Sequence, residues 1–437
     1  MKRYAFNKLK LWKESPNRKP LVIRGARQVG KTWLMKEFAK THYKKFAYIS
    51  FVDTPEAINI FDGNYNLDNI LLGINILTKV QITPQDTLII LDEIQECERA
   101  LNALKFFKEN APDYHVLAAG SLLGVAVRQK KFSFPVGQVD FLDLYPMSFC
   151  EFLDAMDEKQ LSELIYKSNW DVVKNFQDKC TNLLKLYMFV GGMPEVVKAF
   201  ANGKDVTEVR RIQNAILEGY KEDFSKYTES SNVAKITAVW NSIPSQLAKE
   251  NNKFVYKDVK QGARAREYES AVDWLNLTGL IYKVNRITKP DLPIVGYEET
   301  SAFKLYMLDT GLLCAKAMLD AKTIIEGNKI FEEFKGSLTE QYVLQELKCY
   351  DDMPIAYWGA DTGKAEVDFV IQKANLVIPV EVKSSTNLKA KSLVSYRQKY
   401  APEKSIRTSL AGFEINDNLY NIPLYLIENI LHSSIFE

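Results

Sequence analysis

Histidine and cysteine are scarce in this sequence, and neither residue type follows a metal-binding spacing. The chain of 437 residues contains three histidines and five cysteines. The cysteines have no close pair along the chain and are Cys97, Cys150, Cys180, Cys314 and Cys349. This pattern excludes a zinc site of the usual Cys/His kind. It favours reduced thiols that pack as small apolar side chains.

Long apolar runs and a strong charge excess are also missing. The sequence has no run of about 18 apolar residues, the length that a membrane-spanning helix needs. The basic segment Met1–Glu14 lacks the apolar core of a secretory signal. These absences favour a cytoplasmic protein with no membrane partner. Because the formal net charge is only +2, any contact with nucleic acid must come from a local basic patch.

A glycine-rich string near the N-terminus fits the phosphate-binding pattern G-x-x-x-x-G-K-[ST] at every fixed position. An apolar strand precedes the string and a helical pattern follows it, as the motif requires. The glycines let backbone N–H groups turn towards a phosphate, the lysine reaches the β- and γ-phosphates, and the hydroxyl binds Mg²⁺. The sequence therefore predicts a site for ATP or ADP with Mg²⁺. The predicted contact residues are Gly25, Ala26, Arg27, Gln28, Val29, Gly30, Lys31, Thr32 and Trp33.

Two acids follow the apolar run Leu88–Leu91, where ligands bind at the edge of a parallel sheet. We predict that Asp92 holds Mg²⁺ and that Glu93 polarises the attacking water. A third apolar run ends at Ser121, which either senses the γ-phosphate or merely caps the strand.

Several strings resemble those of the bacterial and archaeal AAA-superfamily ATPases. They are Arg24–Thr32, Leu91–Gln95, Leu144–Phe149, Gly191–Glu195 and Asp223–Tyr227. In that family a P-loop domain precedes a C-terminal domain of unknown function. Short apolar runs that alternate with helical patterns predict a parallel α/β core over residues 1–145, and a mainly helical pattern predicts a helical lid or linker over 146–230. The resemblance implies that the core is of the AAA type. It is also compatible with a homo-oligomer. Gln138 stands where relatives often carry arginine, so the weaker Arg128 is left as an arginine-finger candidate, with a plain surface arginine as its alternative.

Residues 231–300 show helical segments followed by a short strand pattern, which predicts a winged helix. Basic residues gather before the predicted helix Glu267–Thr278, and they are Lys257, Lys260, Arg264 and Arg266. The positive charges of these side chains suit contacts with the phosphates of DNA. Because the helix also carries acids, a structural or protein-binding role stays open.

Residues 301–437 read as a further α/β domain with two strands that carry acids. Alternation places Glu366 and Asp368 on one face of the first strand, and Glu381 and Lys383 on one face of the second. As a hairpin these residues, with Glu340 from the preceding helix, would bind Mg²⁺ or Mn²⁺ beside a phosphodiester. The arrangement resembles the PD-(D/E)xK nucleases, in which Asp368 matches the metal-binding acid and Glu381–Lys383 the (D/E)xK element. The alternative is a hairpin with ordinary ion pairs.

Two functions are compatible with these features. The first is a Mg²⁺-dependent ATPase that handles nucleic acid and cleaves it with Asp368, Glu381 and Lys383. The second is an ATP-controlled switch that binds a protein partner and keeps an inactive nuclease-like domain for docking.

Overall fold

The structure is a computed structural model that describes residues 1–121, 137–226, 228, 230–249, 252–326, 332–349, 353–360, 363 and 365–430. Arg128 lies outside the described residues. The chain divides into two compact units. One unit comprises Arg3–Tyr145 with Leu277–Gly279, and the other comprises Met1–Lys2, Pro146–Asn276 and Leu280–Glu437.

The unit built on Arg3–Tyr145 contains a five-stranded sheet in the order β2-β3-β4-β1-β5, and every neighbouring pair is parallel. Its strands are β1 Leu21–Arg24, β2 Lys45–Ser50, β3 Thr87–Asp92, β4 His115–Gly120 and β5 Asp140–Asp143. The described helices are α1 Ala5–Glu14, α2 Lys31–His42, α3 Leu67–Thr78 and α4 Glu98–Asn110, with 3₁₀ turns at Pro55–Phe61 and Ile94–Glu96. Every residue of β3 and β4 is buried, as expected of central strands covered on both faces. The predicted parallel α/β core is confirmed.

The other unit begins with a helical region. Its helices are α5 Phe149–Ala155, α6 Lys159–Tyr166, α7 Trp170–Val173, α8 Gln177–Val190, α9 Pro194–Gly203, α10 Val206–Lys226, α11 Ser230–Leu247, α12 Tyr256–Val259 and α13 Ala265–Leu277. A capping box between Ser148 and Glu151 starts α5. The break between α8 and α9 falls at Gly191–Met193.

An eight-stranded mixed sheet follows, in the order β12-β13-β11-β10-β9-β8-β6-β7. The strands are β6 Ile281–Ile287, β7 Glu298–Met307, β8 Ile355–Gly359, β9 Glu366–Lys373, β10 Leu376–Val382, β11 Ser405–Ser409, β12 Glu414–Asn416 and β13 Leu419–Pro423. The helices are α14 Thr310–Lys316, α15 Ala321–Glu326, α16 Glu332–Lys348 and α17 Lys391–Tyr400, and 3₁₀ turns lie at Lys174–Phe176, Ile294–Tyr297 and Leu424–Ile430.

The ribbon expected to form a wing differs from the prediction. Strands β6 and β7 do pair antiparallel, but β6 also pairs parallel with β8 and so joins the eight-stranded sheet. The predicted division between residues 300 and 301 falls inside β7. The physical reason is that most of β6 and the second half of β7 are buried, and buried strands need a covered sheet rather than a solvated ribbon.

Two motifs of the family resemblance meet in the interior of this unit. The Met147 N–H donates to the carbonyl oxygen of Gly192 over 2.6 Å, and the Gly192 N–H donates to Asp309 Oδ2 over 2.6 Å. A Cβ on Gly192 would lie 2.1 Å from the Met147 carbonyl oxygen, so only glycine allows this approach. These motifs therefore pack the helical region together.

Among the described helices, none combines the length and the apolar character needed to cross a bilayer. All five cysteines are free, and four are buried, which agrees with thiols packed as small apolar side chains.

Candidate nucleotide site and carboxylate cluster

The P-loop follows β1 and has the backbone of an anion nest. Gly25, Gln28 and Gly30 have φ angles of 144°, 66° and 96°, a conformation that favours glycine. A Cβ on Gly25 would lie 2.2 Å from the Leu144 carbonyl oxygen, so no other residue fits there. Arg3 donates from Nη1 to the Val29 carbonyl oxygen over 2.9 Å and so stabilises the loop. Sequence reasoning did not identify this residue.

Lys31 begins α2 and points into the loop. Its Nζ donates to the carbonyl oxygens of Gly25 and Ala26, each over 2.8 Å. Burial lowers the pKa of Lys31 to about 8, although Glu93 and Asp92 act in the opposite direction. The structure thus places a buried cation at the phosphate nest.

The remaining predicted contact residues differ in their surroundings. Ala26 and Val29 are buried, whereas Arg27 is partly buried and Gln28 is exposed. Trp33 is 39% exposed and its ring packs edge-on against Phe6 with the centroids 6.2 Å apart. Trp33 therefore lies on the surface of α2, in the first turn after the loop.

Thr32 and Asp92 meet at the end of β3. Thr32 Oγ1 donates to Asp92 Oδ2 over 2.6 Å, and the Tyr48 hydroxyl donates to the same oxygen over 3.0 Å. Burial raises the pKa of Asp92, while the Thr32 hydrogen bond lowers it. One hydroxyl and one carboxylate oxygen side by side suit Mg²⁺, which takes few protein ligands and keeps its waters and the phosphate oxygens. Thr32 and Asp92 therefore fit the predicted magnesium site.

Glu93 follows with a φ of 52°, which turns its side chain away from the strand. Glu93 Oε2 accepts from Gln95 Nε2 over 2.6 Å and from Ser121 Oγ over 3.4 Å. The structure thus brings Glu93 and Ser121 together and adds Gln95, which sequence reasoning missed. The sequence feature that could have identified Gln95 as a site residue is its position two residues after the acid pair Asp92–Glu93. Tyr48 was missed because its contact crosses from β2 to β3.

The C-terminal acids lie on a hairpin, as predicted, because β9 and β10 pair antiparallel. Asp368 Oδ2 accepts from the Val382 N–H over 2.7 Å. Lys383 Nζ donates to Glu381 Oε1 over 2.7 Å, and Glu381 is 4% exposed.

A lysine from β7 enters this cluster, and sequence reasoning missed it. Lys304 Nζ lies 2.7 Å from Glu366 Oε1 and 3.6 Å from Glu340 Oε2. Glu340 Oε2 also accepts from the Tyr306 hydroxyl over 2.9 Å. The available signal was a lone lysine within the apolar run Ala302–Leu308.

The cluster does not fit the predicted divalent-metal site. Within the described residues, no group of three or more histidine, cysteine, aspartate or glutamate side chains is arranged to hold a metal ion. Glu366 is paired with Lys304 rather than directed at a shared point with the other acids. Burial raises the pKa of Asp368 well above its usual range, with Glu340 and Glu381 adding to the effect.

The predicted DNA-binding residues lie on the surface, with Lys257 in α12, Arg266 in α13, and Lys260 and Arg264 in the segment between these helices. Lys257, Lys260, Arg264 and Arg266 are all exposed, and so are the acids Glu267 and Glu269.

Comparison with known proteins gives matches to three consecutive parts of the chain. A family described as "AAA domain" matches residues 17–153. Two families described as "Domain of unknown function" (DUF8612 and DUF4143) match residues 181–323 and 335–427. Among curated proteins, none matches this sequence.

Several solved structures match the chain at low similarity. A Walker-type ATPase of Pyrococcus abyssi has a TM-score of 0.43 and 13% identity, over 71% of this chain and 94% of that chain. The Aeropyrum pernix ORC2 protein, in its ADPNP and ADP complexes, has a TM-score of 0.33 and 14% identity, over 76% and 92%. These values carry no inference about what this chain binds. The match to the AAA domain over residues 17–153, the parallel sheet and the P-loop geometry agree on a P-loop domain of the AAA type in this part of the chain.

Proposed function

We propose that this chain is a Mg²⁺-dependent ATPase with its active site at the P-loop. The observation that carries the proposal is the contact of 2.6 Å between Thr32 Oγ1 and Asp92 Oδ2 beside the buried Lys31. A hydroxyl, a carboxylate and an ammonium group at one phosphate nest are the groups that phosphoryl transfer from ATP needs.

Each group has a separate task in this proposal. The backbone N–H groups of the loop bind the phosphates, and Lys31 exchanges its carbonyl contacts for the β- and γ-phosphate oxygens. Thr32 and Asp92 hold Mg²⁺, which when bound neutralises phosphate charge. Glu93 orients water and accepts its proton. Gln95 and Ser121 donate to one Glu93 oxygen, which leaves the other oxygen to face the water.

Substitution of Glu93 tests the chemical step. Glu93→Gln keeps size and polarity but removes the carboxylate that accepts the proton. We expect ATP hydrolysis to fall about 100-fold or more, while the Kd for ATP, measured by calorimetry, stays within a few fold. The exposed Glu96, three positions further on, gives the matched control Glu96→Gln. Hydrolysis at the parent rate in Glu93→Gln would exclude Glu93 as the base.

A second function, nucleic-acid handling, is supported by the exposed basic group at Lys257, Lys260, Arg264 and Arg266. We propose that this group contacts the phosphates of duplex DNA, with ATP hydrolysis coupled to that contact. The alternative of a protein partner predicts an ATPase that is indifferent to DNA. Metal-dependent cleavage by Asp368, Glu381 and Lys383 is left out of the proposal, because the cluster does not fit a divalent ion.

A further inference from the structure

The carboxylate cluster of the C-terminal sheet has an internal cation. Lys304 is 1% exposed and lies between Phe303 and Leu305 in β7, both of which are buried. Its Nζ contacts carboxylates from two other elements, Glu366 of β9 at 2.7 Å and Glu340 of α16 at 3.6 Å. A third neighbour is the ring of Tyr357, whose centroid is 5.1 Å from Nζ. The ammonium group is thus enclosed on several sides.

Formal charges in the cluster nearly cancel. The acids are Glu340, Glu366, Asp368 and Glu381. The cations are Lys304, Lys383, which donates to Glu381 over 2.7 Å, and Lys253, which lies 3.6 Å from Glu366 Oε2. Four carboxylates and three ammonium groups leave one formal negative charge, which is less than a divalent ion needs. Glu381 Oε2 is buried and accepts no hydrogen bond from the described residues, so one acceptor in the cluster still lacks a donor.

We propose that Lys304 is the fixed internal counterion of this cluster, and that its ammonium group supplies positive charge that a divalent ion would otherwise supply. Uncompensated buried carboxylates are costly, and Lys304 offsets that cost at Glu366 and Glu340 without a metal. A divalent ion bound by Glu366 or Glu340 would have to displace Lys304, and a buried ammonium group has no solvent to move into. The cluster therefore binds neither Mg²⁺ nor Mn²⁺ while Lys304 is present.

The test measures Mn²⁺ binding by electron paramagnetic resonance on the full chain, without nucleotide. Asp92→Asn serves as the background, because it removes the ligand at the P-loop. In this background we expect no bound Mn²⁺ at millimolar metal. Bound Mn²⁺ that disappears on adding Asp368→Asn would overturn the proposal.

Removal of the lysine should create the metal site. In the same background, Lys304→Met frees Glu366 and Glu340, and we expect Mn²⁺ affinity to rise at least tenfold and to depend on Asp368. The matched control is Lys253→Met, because Lys253 also pairs with Glu366 but its side chain is 35% exposed. Equal gains in the two variants, or no gain in a folded Lys304→Met, would contradict a specific role for Lys304.

Loss of a buried cation can prevent folding, so a second variant is needed. Lys304→Met with Glu366→Gln removes the ion pair as a unit and keeps Glu340, Asp368 and Glu381. This double variant should also gain Mn²⁺ binding that Asp368→Asn abolishes, and a folded double variant with no gain counts against the proposal. If neither variant folds, the Asp92→Asn chain decides alone: absence of Asp368-dependent Mn²⁺ supports the proposal, and its presence overturns it.

Discussion

Lys31 satisfies two opposing demands at the scale of a single residue. It is buried, which penalises its charge, yet two loop carbonyl oxygens accept from it at 2.8 Å. A phosphate offers stronger, charged acceptors to the same ammonium group. The lysine therefore gains most from the nucleotide, and it gives the most direct test of binding.

Lys31→Ala should raise the Kd for ATP at least tenfold, about 1.4 kcal/mol, because the cation facing the phosphates is lost. Calorimetric titration measures the affinity, and thermal unfolding without nucleotide monitors the fold. The exposed Lys40 on the same helix provides the control Lys40→Ala. Unchanged affinity in Lys31→Ala would rule out the nucleotide site.

Residues within one continuous string could be predicted, and residues that act across strands could not. Lys31, Thr32, Asp92 and Glu93 belong to strings whose spacing encodes their geometry. Lys304 reaches the cluster only through pairing of β7 with β6 and β6 with β8, and sequence spacing contains no such information. A charged residue within an apolar strand is the sequence feature that indicates such a contact.

At the scale of elements, Asp309 joins three parts of the second unit. Its carboxylate caps α14 by accepting from the Leu312 N–H over 2.9 Å, and it accepts from the Gly192 N–H and from Gln345 Nε2. Burial raises the pKa of Asp309 from 3.8 to about 6, although these hydrogen bonds act in the opposite direction. The ionised form is therefore less favourable in the folded chain than in the unfolded chain.

Asp309 should make stability depend on pH in a defined direction. Since its folded pKa exceeds its unfolded pKa, its contribution is fully present below about pH 4 and is lost as the pH rises through about 6. The gap corresponds to about 3 kcal/mol at most. The free energy of unfolding of the parent, minus that of Asp309→Asn, should thus be larger at pH 4.5 than at pH 7.5 in urea titrations.

A surface aspartate supplies the control for this pH effect. The exposed Asp205 accepts from the Thr207 N–H over 2.8 Å at the start of α10. If Asp205→Asn gave the same pH-dependent difference as Asp309→Asn, burial would not be the cause.

Element boundaries were harder to predict than elements. The hairpin of β9 and β10 follows from alternation of acids with apolar residues along each strand. The ribbon of β6 and β7 also pairs as expected. Its addition to a larger sheet depends on β8, which lies about 70 residues further along the chain and supplies the second hydrogen-bonded edge. A local pattern cannot distinguish a wing from such an inner strand.

At the scale of the whole molecule, positive and negative side chains nearly balance, with 57 lysines and arginines against 55 aspartates and glutamates. The net charge of +2 gives no general attraction to nucleic acid, so DNA binding depends on the exposed basic group of α12 and α13. The acids Glu267 and Glu269 on the same helix limit this attraction. The cytoplasmic location, the homo-oligomer and the coupling of hydrolysis to DNA stay predictions.

Charge reversal tests the coupling. Changing Lys257, Lys260, Arg264 and Arg266 to glutamate should weaken binding of duplex DNA and flatten its salt dependence, since phosphate contacts release counterions. The ratio of ATPase rates with and without DNA should exceed one in the parent and fall towards one in the variant. The control reverses four exposed lysines elsewhere on the same unit, namely Lys167, Lys198, Lys204 and Lys322.

The two readouts separate the two functions. If both variants lose DNA binding equally, the contact is a general effect of charge and no specific surface is involved. If the parent shows neither salt-sensitive DNA binding nor a change in ATPase rate with DNA, α12 and α13 are structural. The switch that binds a protein partner then becomes the better explanation, because the P-loop domain would hydrolyse ATP without any response to nucleic acid.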